Sequence, residues 1–144
     1  MTIGLKQGSV ITEIGPGGIL HSLCSTIAVH LENNRWGSRF PLLMGALYQG
    51  VLHAKDVDAA QDELRQVRSG LERLSPGEVV WDIENPTVMP AWMKQVGPHV
   101  KSLGDFFVTT SGRNLLNELA DNLESLKEFG GTLEVISYEG APKP

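Results

Sequence analysis

Four histidines (His21, His30, His53 and His99), one cysteine (Cys24) and a serine at an expected strand-to-helix turn (Ser111) are the side chains here best suited to act as bases, nucleophiles or soft metal ligands. Their placement favours none of these uses. No two histidines fall on one helical turn, and the set offers no zinc site with Cys24. His21 and His30 fall off the apolar face of the first helix and read as surface or internally satisfied polar groups. Cys24 sits in the middle of an apolar stripe, where a thiol packs as an inert hydrophobe. Ser111 lies in Thr109-Thr110-Ser111-Gly112-Arg113, which lacks the glycine before the serine that a nucleophile elbow needs, so it reads as a helix N-cap. A glycine-rich run, Gly15-Pro16-Gly17-Gly18, stands where phosphate-cradling loops occur. Leu20 occupies its third glycine position and no Lys-Ser or Lys-Thr follows, so a plain turn is expected. Asp56, Asp58 and Asp62 resemble the start of a calcium loop, but its glycine and terminal glutamate are missing; a solvated helix start is expected instead. No cofactor and no metal are expected. A small hydrolase or transferase would have to assemble its site from scattered residues such as His99, Asp105 and Ser111.

The elements that hold these residues follow from periodicity. Thr2 to Lys6 and Ser9 to Ile14 alternate and predict a hairpin turning at Gln7-Gly8. Ile19, Leu20, Leu23, Cys24, Ile27 and Leu31 recur at helical spacing and predict a first amphipathic helix. Trp36 to Pro41 interrupts it. Pro41 can open a short helix through Leu42, Leu43, Ala46 and Leu47, which Gly50 ends. Asp56 is the expected N-cap of a helix whose stripe is Val57, Ala60, Leu64, Val67, Leu71 and Leu74. Gly70 weakens that helix by about 1 kcal/mol relative to alanine, and Ser75-Pro76-Gly77 stops it. Glu78 to Ile83 and Asp105 to Thr109 read as further strands, separated by a proline-interrupted irregular stretch over 85–98. Leu115, Leu116, Leu119, Leu123, Leu126 and Phe129 mark a last helix, and Leu133 to Tyr138 a last strand. The mixed order predicts an α+β fold: a small, mostly antiparallel sheet with amphipathic helices packed on one face.

With 144 residues, 41% hydrophobic and 20% charged, the chain can fill one ordinary core and is short for two, so one domain over residues 1–144 is expected. It lacks an 18-residue apolar run and has no membrane span of that kind. The opening lacks a secretory pattern and the single cysteine suits a reducing compartment, so a cytoplasmic location is expected. Charge is divided unevenly. Residues 1–77 hold seven acids and seven bases, whereas residues 78–144 hold ten acids and five bases, which accounts for the whole net charge of −5. An acidic chain without an aromatic-and-basic stripe is a poor nucleic-acid binder. A lopsided field with no catalytic set points to a basic protein partner. On the last helix, Asp121, Glu124 and Glu128 share one outward face by their three-then-four spacing. Together with Asp82, Glu84 and the proline-bounded aromatic Trp92 they form the expected docking surface. A regulatory or scaffold subunit is the other non-enzymatic reading of such a surface.

Several short motifs occur in a familiar order. They are the opening Thr2-Ile3-Gly4-Leu5, Trp36-Gly37-Ser38-Arg39-Phe40-Pro41, Val79-Val80-Trp81-Asp82-Ile83-Glu84, Pro90-Ala91-Trp92, and Phe107-Val108-Thr109 with Gly112-Arg113. In this arrangement the sequence resembles the immunity protein 70 family of bacterial polymorphic toxin systems. The resemblance implies a non-enzymatic antidote that binds a cognate toxin domain, encoded by the adjacent gene, and blocks it. It carries over no active-site residues.

Overall fold

The computed structural model of the chain describes residues 2–85, 87 and 100–138. Strands β1 (Thr2–Gln7) and β2 (Val10–Pro16) form the expected hairpin, with Gly8 at the turn in the left-handed region (φ 57°), where a missing Cβ removes the steric penalty. Helix α1 (Gly17–Leu31) follows, then a π-helical turn (Pro41–Leu47), strand β3 (Val51–His53), helix α2 (Val57–Leu71), helix α3 (Leu115–Phe129) and strand β4 (Thr132–Tyr138). The sheet order is β2-β1-β4-β3, and every pairing is antiparallel. The fold is α+β. Ile3, Leu5, Leu52 and Leu133 are buried with the apolar stripes of all three helices in one core cluster. Helix α2 packs against both α1 and α3.

Two of the expected strands are not strands. Residues 79–83 lie against α1 as an irregular segment that bends at Trp81, and the Val80 and Ile83 backbone groups bond to helix side chains. The Thr26 hydroxyl accepts from Val80 N–H (3.0 Å), Ser22 and Thr26 hydroxyls both reach the Val80 carbonyl, and Ser25 Oγ accepts from Ile83 N–H. Backbone groups satisfied by hydroxyls have no need of a neighbouring strand. The same hydroxyls explain why α1 is buried on nearly all sides, since Ser22, Ser25 and Thr26 carry the face opposite Leu23 and Ile27. Asp105 to Thr109 is a series of turns that makes one isolated bridge, Val108 to Asn114, and its Phe107 supports α3 by accepting Leu115 N–H. The strand that periodicity missed is β3. Three residues are too few to show alternation, and β3 is fixed instead by pairing with β4.

Three expected helix ends also change. Asp56 precedes α2, but its side chain makes no cap bond. Ser111 is not the cap of α3; that role belongs to Asn114, whose side chain accepts from Asn117 N–H. Phe129 continues the spacing of the stripe but is 78% exposed. The helix ends there and the chain turns away at Gly130 and Gly131, both at positive φ, leaving no layer opposite the ring.

Candidate functional site

Asp121, Glu124 and Glu128 are exposed on α3, as their spacing requires, and form a ridge between two grooves. On one side Asp121 faces the β1–β2 hairpin; on the other Glu124 lies near Arg65, Arg68 and Lys127 and accepts a hydrogen bond from Gln61 Nε2 (3.2 Å). Asp121 and Glu128 have no ion-pair partner among the described residues. Glu118, on the same helix, is instead buried, 3.5 Å from Arg113.

Asp82 and Glu84 stand elsewhere, in the turn that ends the segment held on α1. Asp82 is committed: its Oδ1 accepts from His21 Nε2 (3.1 Å) and from Glu84 N–H (3.0 Å). The His21 bond, and after it the backbone bond, holds the Asp82 carboxyl below the usual range. With Nε2–H given to Asp82, His21 Nδ1 is left to accept the Tyr48 hydroxyl proton at 2.7 Å. Burial raises the pKa of that phenol. Trp36 stacks on His21 at 5.9 Å, meets Tyr48 edge-on at 5.0 Å, and donates its indole N–H to Met44 O. The order Asp82–His21–Tyr48 is that of an acid–base relay with a phenol in the nucleophile's place. Its plain consequence is mechanical, because it bolts the Trp36 loop and the Asp82 segment to α1. Trp92 and His99 lie outside the described residues. Asp105 and Ser111 are exposed; Ser111 Oγ lies 3.0 Å from Thr109 Oγ1, and no hydrogen bond joins it to Asp105.

The glycine-rich run also belongs to this construction. β2 continues through Gly15 and Pro16, and α1 begins at Gly17. A Cβ on Gly18 would lie 2.5 Å from the Trp81 ring. A rigid indole cannot yield as a flexible side-chain tip can. Gly18→Ala is therefore expected to destabilise by about 1–3 kcal/mol through overpacking, although alanine is the better helix former. Chemical denaturation checks this, and a gain in stability would show that Trp81 moves freely.

Two buried carboxylates escaped the sequence reading. Glu63, on α2, is buried and accepts the N–H groups of Leu42 and Leu43, capping the π-helical turn. Burial raises its pKa against the opposing pull of those two bonds. The sequence did hold a signal: Glu63 lies between Ala60 and Val67 at the three-then-four spacing of the apolar stripe. Glu32 is buried just past α1 and gathers the N–H groups of Gly37, Arg39 and Phe40. Periodicity has no reach there. Asn33 and Asn34, at φ 52° and 65°, turn the chain back over the carboxylate. Cys24 is buried, and burial raises its thiol pKa far above the ordinary value, as an inert core thiol requires.

These burials change which acids a partner can touch. Of the seven acids in residues 1–77, Glu32 and Glu63 are hidden, leaving five at the surface against seven bases, none of them buried. Burial takes those two carboxylates out of a partner's direct reach but does not cancel their charge, so that half stays neutral overall.

A sequence model of the family described as Immunity protein 70 matches residues 5–135 of the chain. No curated protein and no solved structure matches it.

Proposed function

We propose that this chain, which belongs to the immunity protein 70 family, neutralises a secreted toxin domain by binding it stoichiometrically rather than by catalysis. The toxin is the product of the adjacent gene and carries a basic surface; the antidote meets it in the cytoplasm of the producing cell. The observation that supports this reading, beside the family, is the α3 ridge, where Asp121 and Glu128 present charge that no ion-pair partner uses among the described residues. Uncommitted carboxylates on an exposed helix face add little to folding and remain available for steering a cationic partner. Trp92, Asp82 and Glu84 complete the proposed docking residues, with Asp82 in a lesser role because His21 already holds it. The reading leaves the Asp82–His21–Tyr48 relay a structural one.

Co-expression with the toxin domain of the neighbouring gene is expected to restore growth, and the two proteins should elute together on size exclusion as a stable complex. Protection without a complex, or destruction of the toxin's substrate or product by the purified chain, would overturn the binding mechanism.

A further inference from the structure

The groove between the β1–β2 hairpin and the second half of α3 has a volume of about 620 Å³. Val10 and Thr12 line one wall, and Asp121, Ser125 and Phe129 the other. Two large apolar side chains stand in water there, Val10 at 66% and Phe129 at 78% exposure. The groove is fixed rather than a loose gap: Gln7 Nε2 donates to Asn122 O (2.7 Å) and to Asn122 Oδ1 (3.1 Å), tying hairpin to helix. β2 is an edge strand of the sheet. Its far end is covered by Thr110, whose N–H and hydroxyl both donate to Ile14 O. No backbone bond from outside the sheet reaches Val10, Ile11 or Thr12 among the described residues. The charge in the groove is acidic: Glu118 is paired with Arg113, and Asp121 has no ion-pair partner among the described residues.

We infer that this groove receives an extended segment of the toxin that carries an apolar side chain followed by a lysine or arginine. The apolar group fills the space between Val10 and Phe129, the cation meets Asp121, and the segment's backbone pairs with the open end of β2. Strand addition of this kind draws affinity from main-chain bonds and selectivity from alternating side-chain pockets. An exposed edge flanked by apolar side chains is otherwise a liability that proteins cover or charge. The inference rests on the toxin-binding reading and specifies where and how that binding occurs.

Phe129→Ser and Val10→Asp test it, because both side chains are exposed and neither change threatens the core. With the toxin domain of the adjacent gene as the probe, each is expected to weaken the complex about thirty-fold or more, mainly through faster dissociation. Arg73→Ser, in a separate groove beside Leu31 and Gly70, should bind as the unaltered chain does. Hydrogen exchange of the Val10 to Thr12 amides should slow in the complex. A complex of unaltered affinity with both groove variants, or protection absent from β2, overturns the inference and leaves the toxin-binding reading intact. Failure of the unaltered chain to bind the toxin domain overturns both. A dimer of the chain alone that Phe129→Ser disperses assigns the groove to a second copy and likewise overturns it.

Discussion

Glu32→Ala is expected to destabilise the protein by about 2–4 kcal/mol, the cost of leaving one buried and two part-buried donors without their charged acceptor. Glu32 Oε1 accepts Gly37 N–H and Oε2 accepts both Arg39 and Phe40 N–H, each at 3.0 Å, and Glu32 and Phe40 are both buried. Alanine removes the acceptors and leaves three backbone donors facing the space the carboxylate filled. The loop so released carries Trp36, which stacks on His21, and it leads into the π-helical turn whose first residues contribute Leu43 and Met44 to the core. Glu32→Gln retains one acceptor oxygen and should recover part of the loss. Urea denaturation of the two variants separates the cases. A change under about 1 kcal/mol for alanine would mean that water takes over the carboxylate's role at little cost.

The sequence revealed the parts of the fold that depend on local repetition. The stripes are buried from Val57 to Leu71 and from Leu115 to Leu126, because a helix buries one face whatever the tertiary partner is, and each falls short of its expected last residue: Leu74 is half-buried beyond the end of α2 and Phe129 is exposed. The hairpin and β4 were legible for the same reason. Residues 79–83 were not: they resemble a strand in their apolar run, but their hydrogen bonds end on Ser22, Ser25 and Thr26, fifty-odd residues away. Composition cannot tell a strand partner from a hydroxyl-bearing helix. The candidate site divides along the same line. The ridge of Asp121, Glu124 and Glu128 needed only helical geometry and could be named in advance. The groove beside it depends on Gln7 meeting Asn122 across the fold, and no local pattern announces such a contact. A count of charges by halves also hides that Glu32, Glu63 and Glu118 are buried and so beyond a partner's direct reach.

Reversing Asp121, Glu124 and Glu128 to lysine is expected to slow association with the toxin domain about ten- to a hundred-fold at low salt, the range over which steering acts. Three carboxylates become three ammonium groups, a change of six charge units on one helix face of a chain whose net charge is −5. All three positions are exposed, so folding stability should change by no more than about 1 kcal/mol. Glu124 contributes most of that change, since a lysine there would stand near Arg65, Arg68 and Lys127. Steering falls away beyond the Debye length of about 8–10 Å in ordinary salt, so the difference in on-rate between variant and parent should shrink as salt rises. Dissociation should respond less than association, because Glu124 and Glu128 lie outside the groove that Asp121 borders. Stopped-flow association at two salt concentrations reads both effects. Rates that match the parent at low salt would move the interface off α3, and the Trp36 to Pro41 loop, held against α1 through His21, would then be the surface to vary.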